Sequence, residues 1–229
     1  MFKYQVIFFL VVISTTGGKE TDITNETGGR AVQNDDENWV DTWEAPKIIK
    51  DGFPYYISGH DDDGRPILVM EWGHWDFRSI VEKGGENVEH LAKHFDQIIQ
   101  RINTGFFTRN INDTDDYTNG EMTVIVDMDG LSLRQIMLPK NIRFLLENVT
   151  KIEKCFAKIT YGYIINLSTV GWQLISLFKP YLGKFLERME MYGTNSQHWK
   201  PKLFKRLPPS QLHPVYGGSE GFRPVEVYG

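Results

Sequence analysis

Cysteine is the scarcest residue of the 229-residue chain: Cys155 stands alone. One thiol excludes an intramolecular disulfide and any cysteine-based zinc cluster. It lies in the run CFAKITYGYI with no histidine nearby, which reads as a buried thiol rather than a nucleophile. Aspartate is also unevenly spread, and no Asp occurs after Asp129. That absence bears on the stretch TVIVDMDGLS, Thr123 to Ser132, where a β-branched run ends in two carboxylates at a glycine turn. Such an end resembles an Mg²⁺-dependent aspartyl phosphatase with Asp127 as nucleophile. That chemistry needs further aspartates downstream to complete an oxygen shell around the metal, and here none follow. Phosphate cradles of the GxGxxG and GxxxxGK[ST] kinds are missing, as is a GxSxG elbow. The pair His90 and His94 has helical spacing without a third ligand, so it reads as a solvated helix face and no metal is expected.

What is present points to a folded globular chain, 41% apolar, 13% aromatic and 24% charged. The charge is polarised. Residues 1–130 hold 24 acids against 11 bases, a net of −13, and residues 131–229 hold 6 against 14, a net of +8. A basic half suits an anionic surface. It carries no aromatic RNA-binding signature and no DNA-reading motif, so no nucleic-acid partner is expected.

The N-terminal run MFKYQVIFFLVVISTTGG has a lysine, an apolar block from Val6 to Ile13 and small residues after it. It reads as a secretory signal peptide over 1–18, too short to span a bilayer. A polar, acidic leader follows over 19–38. If the leader peptide is real, the protein is secreted and Asn112, in the polar run TRNINDTDDYTNG, is the glycosylation candidate among the sequons at Asn25, Asn112, Asn148 and Asn166. The alternative is a cytoplasmic protein with peripheral membrane contact.

From residue 39 onward the pattern alternates. A helical turn is expected over Ala45–Asp51, strands over Phe53–Ser58 and Pro66–Trp72, and a helix over Val88–Asn103 with Val88, Leu91, Phe95, Ile98, Ile99 and Ile102 on one face. A strand at 122–127, a helix at Leu138–Val149 and a strand at Ile159–Asn166 form a βαβ unit with a parallel pair. Two further segments, Val170–Phe178 and Leu182–Met191, flank a break at Lys179–Pro180. They carry more apolar surface than one helical stripe requires.

Several stretches in order carry a family resemblance: WEAPKII, DGRP, VIVDMDGLSL, YIIN, LFKPYL, GTN and PSQLHPVYGG. Over residues 39–219 the chain resembles the CRAL-TRIO lipid-binding family, which includes phospholipid-transfer and tocopherol- and retinal-binding proteins; its animal members share a strand ending in Asp-x-x-Gly-Leu. The resemblance implies an α/β fold with a mixed, mostly parallel sheet of about five strands, flanked by helices, and a hydrophobic cavity closed by a gate helix. Residues 220–229 would be a tail. It implies no enzyme, with Asp127 and Asp129 forming a turn, and no cofactor beyond a bound lipid exchanged with an anionic membrane, in a monomer. A sensor or interaction module without transfer is the alternative.

The resemblance places Trp172, Ile175, Phe178, Leu182, Phe185, Leu186, Met189, Tyr163 and Ile165 at the cavity and gate. Lys179, Pro180 and Gly183 would be the hinge, and Trp199, Phe204, Lys200, Lys202, Lys205 and Arg206 would suit the bilayer surface. Inositol-lipid members carry an acid just before the YIIN strand. Here that run is Cys155-Phe156-Ala157, and only the partnering base, Arg188, remains as a headgroup candidate. The family's N-terminal helical lobe and the β-sandwich domain trailing some animal members have no counterpart in this sequence. A guest with about 30 methylenes brings on the order of 25 kcal/mol of apolar transfer at roughly 0.8 kcal/mol per CH₂, so an apolar cavity wall must supply most of the affinity.

Overall fold

A computed structural model describes residues 39–109 and 119–229; the signal-peptide and leader expectations and Asn112 fall outside them. The elements in chain order are helices α1 (Trp39–Thr42) and α2 (Lys47–Gly52), strands β1 (Tyr55–His60) and β2 (Pro66–Met70), helices α3 (Phe77–Lys83) and α4 (Glu86–Asn103), and strand β3 (Met122–Asp127). Helices α5 (Leu133–Ile136) and α6 (Pro139–Val149) lead to strand β4 (Ile159–Leu167), then to helices α7 (Thr169–Phe178) and α8 (Gly183–Glu187). Strand β5 (Met189–Gly193), helix α9 (Ser196–Leu203) and strand β6 (Glu226–Tyr228) complete the order.

The strands form one six-stranded sheet in the order β5-β4-β3-β2-β1-β6. β2 through β5 run parallel, and β1 is antiparallel to both β2 and β6. The mixed sheet is as expected, with one strand more: Glu226–Tyr228 is not a tail but pairs with Tyr55–Ile57, where Tyr228 stacks on Tyr55. The run Val225–Tyr228 alternates apolar and polar too briefly to announce a strand without its partner.

β2 and β3 are buried at every position, as parallel strands with both faces covered must be. Their residues divide by parity. Leu68, Met70, Val124, Val126 and Ile164 join α3, α4, α6, α7 and α8 in the larger core. Ile67, Val69, Ile125, Tyr163 and Ile165 face a smaller one made with Trp199, Leu203, Leu207, Leu212 and Tyr216. Helix α4 buries the predicted stripe, with Leu91, Phe95, Ile98, Ile99 and Ile102 all below 5% exposure.

The two acidic turns fasten opposite strand ends. Asp61, in HDDDG, accepts from Thr123 Oγ1 at 3.0 Å, Tyr161 OH at 2.9 Å and the Arg65 amide at 2.8 Å. Asp127 Oδ1 accepts from the Asp129 amide at 2.9 Å and from Asn166 Nδ2 at 2.8 Å. Asp127 is thus a turn-forming residue, consistent with aspartate's habit of bonding the backbone two residues on. Among the described residues, no three His, Cys, Asp or Glu side chains come together as a metal site. Nor is any described helix long and apolar enough to cross a membrane.

His94 departs from the solvated face expected of it. It is 1% exposed, its Nε2–H donates to the Phe53 carbonyl at 3.0 Å, and it packs against the Tyr55 ring. Nδ1 has no hydrogen-bond partner among the described residues, and burial, reinforced by the charge of Arg101, pushes the pKa down from 6.5 to about 4. Cys155 is buried as expected, and burial raises its thiol to about 12. Because His94 is neutral in the fold and takes up a proton once unfolded, stability falls as pH drops from about 6.5 towards 4. Between pH 7.5 and 4.5 it contributes a loss on the order of 2–3 kcal/mol, and His94→Gln reduces that loss in urea unfolding at the two pH values. An unchanged pH dependence in the variant would refute this.

Candidate functional site

Helix α7 follows the end of β4 and covers the larger core. Ser168 starts it by accepting from the Gly171 amide at 3.3 Å. The chain then breaks into a 3₁₀ turn at Lys179–Tyr181, resumes as α8 and enters β5. Proline at position 180 has no amide hydrogen to continue the helical ladder, which accounts for the break. The apolar segment Leu182–Met191 is therefore not a single element. Residues 183–187 are helical, while Met189 and Met191 belong to an edge strand that four buried main-chain partners in β4 draw into the sheet.

The cover sorts its apolar residues into two stripes. Gly171, Leu174, Phe178, Leu182, Phe185 and Leu186 are buried, with Ile175 partly so. Trp172, Leu177 and Tyr181 face outward at 41%, 47% and 52% exposure. The surplus noticed in the sequence is thus one inner stripe and one outer patch.

Beneath the inner stripe lies an apolar void of about 40 Å³. Its lid is Leu174, Ile175, Phe178, Leu182, Phe185 and Leu186, and its floor is Met70, Val126, Met128 and Ile164. Trp72, Val149 and Ile152 close the sides. A second void of about 20 Å³ continues under α4, sharing Met70, Trp72, Ile152 and Phe185 with the first. A single water needs roughly 10–15 Å³ of such space, and small-molecule pockets begin at roughly 300 Å³. The site is a seam rather than a chamber, so a lipid enters only if the cover lifts.

Among the expected cavity residues, Ile175, Phe178, Leu182, Phe185 and Leu186 meet at this seam. Three groups do not. Tyr163 and Ile165 point to the opposite layer, and Ile164 takes the floor position between them. Trp172 faces outward, because it sits about 100° from the buried Gly171 and about 200° from the buried Leu174 around the helix. Met189 packs where glycine at 162 leaves room for its sulfur: a Cβ there would approach Sδ to 2.7 Å. Of the surface residues expected to meet a bilayer, Trp199 is buried at 2% in the opposite layer, whereas Phe204 is exposed at 39%.

Arg188 is held locally. Its guanidinium lies 4.3 Å from the Phe156 ring centroid, and Nη1 donates to the carbonyls of Ile159 at 3.1 Å and Thr160 at 3.4 Å. Phe156 thus stands against the base in the run where inositol-lipid members carry their acid.

Two contributors were missed from sequence. Trp72 shares strand parity with Leu68 and Met70, and that period of two was the available signal. Glu153 gave no signal, since its role depends on a segment 31 residues away. Its Oε1 accepts from the Lys184 amide at 3.0 Å and its Oε2 from the Phe185 amide at 3.1 Å. These are two of the first amides of α8, which no intrahelical carbonyl can satisfy.

Comparison with known proteins agrees with this geometry. Residues 50–218 match the CRAL/TRIO domain, and the chain belongs to that family of lipid-binding domains. The chain is 26% identical to Protein real-time of Drosophila pseudoobscura pseudoobscura over 191 residues, 80% of this chain and 27% of that one. It is also 26% identical over 190 residues to the CRAL-TRIO domain-containing protein T23G5.2 of Caenorhabditis elegans, 79% of this chain and 25% of the relative. The chain therefore spans about a quarter of the length of these relatives. The crystal structure of Sfh5 superposes with a TM-score of 0.53 at 12% identity, covering 82% of this chain and 67% of that one, and shares its fold.

Removing the Glu153 carboxylate should loosen the cover locally. Glu153→Ala is expected to cost about 1 kcal/mol, the usual scale of a lost helix cap. Amide exchange at Lys184 and Phe185 should accelerate while α4 amides stay protected. Equal acceleration in both places would show that Glu153 supports the whole fold rather than the cover.

Proposed function

We propose that the chain binds a hydrophobic lipid, a phospholipid or an isoprenoid, in the seam beneath residues 169–187 and transfers it between membranes. One observation carries the reading: an unbroken apolar inner stripe lies over an apolar sheet face without filling it. Loading requires the cover to move as a unit. The turn at Lys179–Tyr181 and the unconstrained Gly183, whose Cβ would meet nothing within 4 Å, are the hinge. Non-directional apolar contact would supply the affinity.

Trp172, Leu177 and Tyr181, flanked by Lys179 and Lys184, form the membrane-facing side of the same cover. An aromatic and aliphatic patch with lysines suits the boundary of an anionic bilayer. Contact there and opening of the seam are then one event, since the outer and inner stripes share a helix. The small volume of the seam favours a second reading, in which the domain senses membranes or partners and carries no guest.

Transfer of a fluorescent phospholipid or retinoid from donor to acceptor vesicles containing phosphatidylserine tests the proposal. Wild type should accelerate transfer. Trp172→Gln/Leu177→Gln should slow it about tenfold without lowering the melting temperature, each side chain losing on the order of 1 kcal/mol or more of interfacial burial. Vesicle binding without transfer by wild type would favour the second reading, and an unimpaired double variant would refute this membrane-facing side.

A further inference from the structure

Away from the cover, three large apolar side chains are exposed together where α5 passes into α6. Leu133 and Met137 lie four residues apart, about one helical turn along one face, and Leu138 follows. They are 54%, 65% and 39% exposed. Polar contacts hold the segment in place. Gln135 Nε2 donates to the carbonyls of Gly73 and Trp75, both at 3.2 Å, and Gln135 Oε1 accepts from the Ser132 amide at 2.7 Å. The buried Asn141 donates from Nδ2 to the Gln135 carbonyl at 3.2 Å and to Glu82 Oε1 at 3.4 Å. Lys140 Nζ donates to the Glu82 carbonyl at 3.0 Å. The fold thus fixes three apolar side chains in water, which the hydrophobic effect opposes unless another apolar phase meets them.

Charge indicates which phase. Residues 130–146 hold three bases, Arg134, Lys140 and Arg143, and no acid, and all three bases are exposed. The Glu82 carboxylate, which bonds this segment through Asn141, is itself paired with Arg78 at 2.5 Å. Apolar side chains flanked only by bases complement the boundary of an anionic bilayer, where the chains enter the interface and the cations meet lipid phosphates.

We propose that Leu133, Met137 and Leu138, with Arg134, Lys140 and Arg143, form a fixed anchor for an anionic bilayer, separate from the cover made by α7 and α8. The inference rests on the reading that this domain exchanges lipid with membranes, and it divides the work: the anchor holds the bilayer while the cover stays free to open. Strands β3 and β4 are parallel neighbours, and Asn166 Nδ2 donates to Asp127 Oδ1 at 2.8 Å across their carboxyl ends. Helices α5 and α7 therefore leave the sheet from the same end, which puts the anchor and the start of the cover at one end of the sheet.

Co-sedimentation with phosphatidylcholine vesicles, with and without phosphatidylserine, tests the anchor. Wild type should bind the phosphatidylserine vesicles, and less tightly as salt is raised. Leu133→Gln/Met137→Gln should weaken that binding about tenfold, and Arg134→Gln/Arg143→Gln should do the same while removing most of the salt dependence. Leu174→Trp/Phe178→Trp, which fills the seam, should still bind the vesicles, because the anchor acts without the cover. Should the anchor variants not fold, amide exchange of wild type decides: amides at 133–138 slow when phosphatidylserine vesicles are added if the anchor is real. Unimpaired binding by Leu133→Gln/Met137→Gln, unchanged exchange at 133–138, or loss of binding in the seam-filled variant overturns the anchor and leaves the carrier reading intact. Absence of any vesicle binding by wild type overturns the anchor as well. Binding through these residues with no lipid transferred supports the anchor and overturns the carrier reading instead.

Discussion

A sheet that buries both faces of its central strands must be sealed on both sides, and everything distinctive here follows from how the two seals differ. The smaller core is closed by α9 and the strap from Leu203 to Tyr216, with large rings such as Trp199 and Tyr216 pressed on the strands. The larger core is closed in part by α7 and α8, joined through a proline-containing turn. A broken helix cannot satisfy its own backbone across the break. The amides of Lys184 and Phe185 therefore turn to Glu153, on a different segment. The cover thus depends on a few side-chain hydrogen bonds and an apolar stripe that only partly fills the space beneath it. On the proposed function, such an element would sit at the low end of local stability, as a cover that moves must.

The cover also resolves a difficulty of solubility. A helix apolar on both sides would ordinarily be buried on both. Here Trp172, Leu177 and Tyr181 remain in water, interspersed with lysines. Retaining an exposed patch of this kind has a rationale if it meets another apolar phase. The basic balance of the chain's second half, which supplies Lys179 and Lys184, supports that rationale.

Much of the architecture was legible. Helix α4 announces itself because a half-buried helix must alternate at 3.6 residues, and its six stripe residues recur at that spacing. The motifs from WEAPKII to PSQLHPVYGG identified the family, and through that resemblance Asp127 and Asp129 of VIVDMDG were expected to form the turn they do. Facing was not legible in β4. ITYGYIIN is apolar or aromatic on both sides, so nothing local distinguishes Ile164, under the cover, from Tyr163 and Ile165, beneath the strap. Strand β6 was hidden because three residues carry little pattern and their partner lies about 170 positions away. His94 was mistaken for a surface residue because a polar ring on a helix looks alike in water or against the Phe53 carbonyl. Arg188 looked available because its ties to Phe156 and to two carbonyls exist only in three dimensions.

The account stands on the seam beneath the inner stripe opening to hold a guest. Native mass spectrometry of the gently purified protein, followed by organic extraction, tests this most directly. The account predicts one co-purifying lipid per chain. It also predicts loss of that lipid when Leu174 and Phe178 are both replaced by tryptophan, which fills the seam from the lid side. A chain that folds normally, carries no lipid and acquires none after incubation with phospholipid and isoprenoid vesicles would contradict it.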